Sequence, residues 1–277
     1  MNTTELPVTR IQPSGGWVDL GLADLWRHRE LIAFLAMREI QVRYKQTLLG
    51  IAWIALHPVA TALVLTIVLG VMVRVPSNDA PYAVFVLCGI VAWNFFNSAF
   101  NRGSTSLVSS AHLISKVYFP RLVIPIATVL APLVDLGIGM LVLIGVGLYY
   151  HIVPGPQIVG VVPFVLLALA AALGVALWLS ALNVRFRDIT HMLPIVTTIG
   201  LYVTPVIYPS SLIPSRWRQW IGLNPMSSVV EGFRWAFLGQ SPPEARMVLL
   251  SVLVTVALLV SGGYAFRRME RTFADIV

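Results

Sequence analysis

Long apolar stretches dominate this chain, and the segment between the last two of them does not read as an ordinary connector. From Tyr208 to Arg234 it carries the helix breakers Pro209, Pro214 and Pro225 beside Trp217, Trp220, Glu231 and Arg234. It is too long for a tight turn and too apolar for a solvated loop. Irregular backbone at membrane depth is tolerated only where protein or a water-filled cavity surrounds it. The chain is therefore expected to build a path through a bilayer, not just an anchor in one. Hydrophobic residues make up 57% of its 277 positions and charged ones 11%, against about a quarter charged in a soluble domain. One membrane domain accounts for this length, with no additional globular domain of ordinary size.

Apolar runs of the ~20-residue length that spans a bilayer predict an all-α protein with six transmembrane helices. They lie at about 51–73, 82–100, 120–150, 158–183, 192–208 and 247–266. The fifth is short and interrupted by Pro194 and Pro205, and Pro125 and Pro132 are expected to kink the third. Residues 1–48 are expected to form a cytoplasmic tail and interface helix, ahead of a membrane domain over 49–277. Positions 1–18 read as a loose tail, with Pro7, Pro13 and a Gly15-Gly16 pair. Positions 19–47 read as an amphipathic helix lying in the interface plane. Leu22, Leu25, Trp26, Ile32, Leu35 and Ile40 supply its apolar side, and Arg27, Arg29, Glu30, Arg38, Arg43 and Lys45 its charged side. Such a helix is either a juxtamembrane anchor or a docking surface. No cleavable leader pattern is visible, so the first membrane helix is expected to direct insertion itself.

The net charge of +7 is a topology signal. Fourteen of the nineteen basic residues fall in the N-terminal segment, the 101–121 and 184–191 loops and the C-terminal tail. Arg74, Arg216, Arg218, Arg234 and Arg246 fall on the opposite side. Six spans with both termini cytoplasmic fit this asymmetry. Nucleic-acid binding needs a basic face on a polar fold, and none is offered. No inverted repeat supports a secondary transporter.

The sequence carries no engine. A phosphate-binding loop needs a Gly-Lys pair followed by Ser or Thr, and neither Lys45 nor Lys116 follows a glycine. No His-Glu-x-x-His, cysteine cluster or Gly-x-Ser-x-Gly is present, so metal and nucleophile chemistry have no foothold. Cys88 is alone and reads as a small hydrophobe. Ionisable groups inside a membrane are costly and tend to be functional. Asp135, midway along the third span, is either functional or a structural hydrogen-bonding partner. His57, before Pro58, is either a kink residue or a proton relay. Glu231 and Arg234 are three apart, share a helix face and are expected to pair. Tyr202 and Tyr208 share the fifth span with Thr197, Thr198 and Thr204. They are either interfacial aromatics or a pore lining suited to stacking on sugars and bonding their hydroxyls. The stretch from Ser104 to Pro120 reads as a short cytoplasmic helix with Leu107, Ala111 and Ile114 on one side, either a connector or a docking element.

Several stretches in order resemble the permease subunit of a type-2 ABC exporter, specifically the polysaccharide-export branch. They are Arg38 to Pro58, Ile114-Ser-Lys-Val-Tyr-Phe-Pro-Arg121, Asn183-Val-Arg-Phe-Arg-Asp-Ile189, Thr204-Pro-Val-Ile-Tyr-Pro209 and Leu223-Asn-Pro-Met226. The resemblance covers roughly residues 25–270. It implies a second copy of this chain and two copies of a separate ATPase that binds ATP and Mg²⁺, with no cofactor held here. It implies a lipid-linked polysaccharide as cargo (O antigen first, then capsule or teichoic acid) and the cytoplasmic membrane as location. Leu107, His112, Leu113, Ile114, Lys116 and Tyr118 would couple to the ATPase. Trp53, His57, Tyr202, Thr204 and Tyr208 would line the channel along the first and fifth spans. Arg38, Arg43 and Lys45 would meet the anionic lipid head group at the entrance. Re-entrant helices over about 212–238, with Trp217, Trp220, Asn224, Glu231 and Arg234, would gate the outer mouth. Other readings are a type-2 exporter of drugs or lipo-oligosaccharides and a membrane-embedded lipid-linked glycan enzyme. The scattered acids speak against the enzyme.

Overall fold

The computed structural model describes residues 22–45, 52–114, 116, 119–218, 220–270 and 273, and all regular structure among them is helical. Near the N-terminus lie α1 (Leu22–Arg27) and α2 (Arg29–Tyr44). Helix α3 (Ala52–Leu65) continues into wider π-helical turns over Thr66–Met72. Then come α4 (Tyr82–Ser109), the single turn α5 (Ala111–Ile114), α6 (Val123–Leu130) and α7 (Leu133–Tyr149). A 3₁₀ turn, Pro156–Gly160, leads into α8 (Val161–Arg185), which is followed by α9 (Asp188–Val203). Short turns, among them α10 (Ser215–Arg218), connect to α11 (Pro225–Leu238) and finally to α12 (Ala245–Glu270).

Five helical stretches are long and apolar enough to cross a membrane: Ala52–Met72, Tyr82–Ser109, Val123–Tyr149, Pro156–Arg185 and Ala245–Glu270. The expected fifth span, 192–208, is not among these five helices. Its helix α9 has 16 residues, about 24 Å against a hydrocarbon core of roughly 30 Å. It stops at Val203 because Thr204 precedes Pro205, and a residue before proline is pushed out of the helical region. Thr204 is extended, with φ −81° and ψ 136°.

Helix α4 is the axis of the bundle and packs against α3, α6, α7, α8, α9 and α11. Close approach there depends on small residues, as expected between helices in lipid. A Cβ placed on Gly103 would lie 2.6 Å from both Ala176 of α8 and Val129 of α6. The helix also runs nine residues past its expected end at 100, to Ser109. The hydroxyls of Ser104, Thr105, Ser106 and Ser109 fold back onto carbonyls of the preceding turn, so polar residues that read as a loop stay helical. The expected coupling helix is thereby split: its first residues belong to α4, and only α5 stands apart.

The third span is broken between α6 and α7, at Pro132. Pro125 does not kink it, because it sits in the first turn of α6, where no intrahelical donor is needed. The N-terminal helix departs from clean amphipathicity. It is interrupted at His28, and α2 lies along α6. Ile32, Leu35, Glu39 and Ile40 face the protein half-buried, while Phe34, Met37, Arg38 and Val42 are exposed on the other side. Both sides of α2 thus mix charge with apolar surface. The expected tail over 1–18 lies outside the described residues.

Gly103→Val is expected to lower stability by about 1–3 kcal/mol through overpacking. Gly137→Ala, where a Cβ meets nothing within 4 Å, is expected to be neutral or slightly stabilising. Thermal unfolding of the purified protein in one detergent checks both.

Candidate functional site

A cavity of about 510 Å³ opens between α3, α4 and α7, beneath the end of α2. Its polar wall comes from α4. Asn94, Asn97 and Asn101 recur at helical spacing, with Ser98 beside them, and all line the space. Asn101 donates its amide to the Asn97 carbonyl at 2.8 Å and also to the Asn97 side chain. The Asn94 amide and the Ser98 hydroxyl make no hydrogen bond among the described residues. Helix α3 contributes Trp53, Ile54, His57 and Pro58, and α7 contributes Asp135, Leu136 and Gly139.

Arg43, Arg102 and Asp135 are the charged groups of its lining, and each arginine stands near an acid. Arg43 and Tyr44 of α2 donate to the two carboxylate oxygens of Asp135. Arg102 lies 3.8 Å from Glu39. Burial first, and then the hydrogen bond it donates to Asp135, push the Tyr44 phenol up to about 12, so Tyr44 remains a donor throughout the physiological range. Asp135 is thus the structural partner weighed as one of its two readings. Its position in the first turn of α7 also suits a carboxylate at a helix N-terminus.

The residues expected at the substrate path separate in the structure. Trp53, His57 and Arg43 line the cavity. Arg38 and Lys45 are exposed on α2 and do not line it. Tyr202 is exposed on α9, and the Tyr208 hydroxyl donates to its carbonyl at 2.9 Å. Thr204 is fully buried, accepting from the Asn224 amide at 2.8 Å. Among the expected coupling residues, Leu107 is buried in a cluster with Leu122, Ile124 and Leu177, and so presents no surface for docking. His112 and Lys116 are exposed and Leu113 half-buried, Ile114 ends α5, and Tyr118 lies outside the described residues.

The segment expected at the outer mouth is built around Arg234, only 3% exposed. The expected Glu231–Arg234 ion pair does not form. Arg234 instead donates to the Val206 carbonyl at 2.7 Å and to that of Tyr208 at 3.4 Å. Its guanidinium stacks 3.6 Å from the centre of the Phe85 ring. The Tyr82 hydroxyl donates to the Ile207 carbonyl at 2.6 Å. The irregular stretch after α9 is therefore held through its carbonyls, and Glu231 is left to the Ser210 hydroxyl. Asn224 caps α11, accepting from Met226 N at 3.1 Å with Pro225 at the first helical position. Trp217 and Trp220 are exposed.

The asparagine wall, Ser98, Arg102 and Tyr44 escaped the sequence reading. The available signal was three asparagines and a serine at helical period where the second apolar run gives out. No group of His, Cys, Asp and Glu among the described residues is arranged to hold a metal ion.

A family model described as ABC-2 type transporter matches residues 30–238. The chain is 28% identical over 256 residues to the O-antigen export system permease protein RfbA of Myxococcus xanthus, covering 92% of this chain and 98% of that protein. It is 26% identical over 249 residues to the protein of the same name from Klebsiella pneumoniae, covering 90% and 95%. It is 26% identical over 244 residues to the polysialic acid transport protein KpsM of Escherichia coli, covering 85% and 92%.

Arg234→Met is expected to lower stability by about 2–3 kcal/mol, because two buried carbonyls lose their donor. Arg234→Lys is expected to recover only part of that, since an ammonium cannot reproduce the planar fork. Arg43→Gln and Asp135→Asn are each expected to be more damaging alone than together, because either single change leaves an unpaired charge. Thermal unfolding of the four proteins in that cycle reads the coupling.

Proposed function

The chain belongs to the ABC-2 type transporter family, and from that premise we propose that it is the channel-forming permease half of an ATP-driven exporter of lipid-linked polysaccharide. O antigen is the first cargo, with capsule and teichoic acid polymers as the related alternatives. One observation carries the reading: relatives named for O-antigen export align along 98% and 95% of their own length. The sequence supports the division of labour, because it has no phosphate-binding loop. ATP and Mg²⁺ then belong to a separate ABC-type ATPase, two copies of which join two copies of this chain in the cytoplasmic membrane.

The fold supports a sixth crossing made in two parts. Helix α9 supplies about 24 Å, and the clamped stretch from Thr204 to Pro209 supplies the rest. Irregular backbone of this kind is tolerated where protein satisfies it, and Arg234 and Tyr82 do so for three of its carbonyls. On this topology both termini are cytoplasmic. The turns from Ser210 to Leu238 form re-entrant helices at the outer mouth, and α2 and α5 face the ATPase. Between the two permease copies, α3 and α9 form the channel. Exposed Trp53 and Tyr202 offer ring faces there, and contact through ring faces tolerates a moving polymer because it grips no single sugar.

Two measurements test the reading. Tagged protein, expressed with its chromosomal neighbours and extracted gently, is expected to bring down an ABC-type ATPase in equal copy number by native mass spectrometry. A lone dimer would overturn the exporter assignment. Tyr202→Ala with Tyr208→Ala is expected to reduce polymer at the cell surface, as seen by immunoblot. Export at the normal rate would remove these residues from the channel.

A further inference from the structure

We propose that the cavity between α3, α4 and α7 is a binding site for an uncharged, hydroxyl-rich group, a sugar unit of the cargo, and not for the cargo's anionic phosphate end. This rests on the polysaccharide reading above. The Asn94 amide and Ser98 hydroxyl are half-buried and face this space without a hydrogen-bond partner among the described residues. An occupant that excludes water from them must itself offer donors and acceptors. At about 510 Å³ the space falls within the ~300–1,000 Å³ of small-molecule sites.

Charge and hydrogen-bond character decide which occupant. Arg43 is committed to Asp135, reinforced by Tyr44, and the charge of Arg102 is partly offset by Glu39 at 3.8 Å. A phosphate would have to draw Arg43 off a carboxylate and then lie beside that carboxylate, a like-charge contact at low dielectric. Amides donate and accept, as sugar hydroxyls do, whereas an ionised phosphate only accepts. Trp53, 54% exposed at the rim, presents a ring face to the C–H side of a sugar. Arg38 and Lys45, which form no ion pair with an acid among the described residues, lie outside the cavity and are free to meet phosphate at the membrane surface.

The test uses the full complex carrying Asn94→Cys. The native Cys88 is fully buried, so a methanethiosulfonate reagent reports on position 94. Its modification rate is measured with a neutral linear oligosaccharide, with inorganic pyrophosphate, and in phosphatidylglycerol nanodiscs against neutral ones. At about ten times its Kd the oligosaccharide is expected to slow modification about tenfold, since mass action leaves about one site in ten unoccupied. Pyrophosphate and phosphatidylglycerol are expected to leave the rate unchanged. Protection by either anion and not by the sugar overturns the assignment, as does protection by none, which is the result for a cavity holding only water. A second arm compares Asn94→Leu with Asn94→Gln for surface polymer, in complexes of wild-type stoichiometry. Leu is expected to lose export and Gln to retain part of it. Wild-type export with an indifferent Asn94→Leu sinks the cavity assignment alone. Failure of the wild-type complex to export any polymer sinks the exporter reading instead.

Discussion

The shape of the second half of this protein depends on one buried guanidinium. A chain that leaves helical geometry inside an apolar surround must find donors for its carbonyls. After α9 ends at Val203, the carbonyls of Val206 and Tyr208 find theirs in Arg234. The cation needs stabilisation in return, and it comes from carbonyl dipoles and the face of Phe85 rather than from an acid. Because Phe85 belongs to α4, Arg234 to α11 and the carbonyls to the segment following α9, one side chain ties three elements together. Tyr82 extends the same solution by donating to the Ile207 carbonyl, and Asn224 fixes the start of the stretch through the Thr204 hydroxyl.

A second polar knot does comparable work near the N-terminal helix. The break at Pro132 places Asp135 in the first turn of α7, where Arg43 and Tyr44 reach it. A helix with no fully buried residue of its own thereby gains a fixed position against the bundle. Between the two knots the packing is apolar and relies on small residues, with Gly103 letting α4 meet α8 and α6. Non-directional packing holds the middle, and directional hydrogen bonds fix the places where helices end.

Much of the fold was legible because apolar run length sets helix length directly, and all five long spans begin or end within two residues of where hydropathy puts them. The misreadings share a cause. Residues 101–109 look like a loop by polarity, but their hydroxyls bond their own helix. Thr204 looks like a pore residue by type, but Asn224 turns it inward. Glu231 and Arg234 look like an ion pair by spacing, but the guanidinium has better acceptors in carbonyls brought from elsewhere in the chain. In each case a polar group's partner was a matter of tertiary position, which periodicity does not encode. The cavity was half visible: Trp53, His57 and Arg43 were marked, while the asparagines of α4 were passed over because an apolar run was read only for its apolar residues.

The distribution of charge bears on how such a chain could handle a long amphiphilic polymer. Strong fixed charges along a path would hold an anionic group and slow its departure. Here each arginine lining the interior cavity stands near an acid, whereas Arg38 and Lys45 do not. Basic charge without an acid partner is thus presented on the exposed side of α2, where its field is screened within about 8–10 Å by salt. The interior is left with amides, hydroxyls and ring faces, each weak and each indifferent to which sugar it meets. On the proposed reading, a phosphate end that arrives first would be captured without being trapped, and the sugars that follow would meet only contacts that are easily exchanged for the next unit in line.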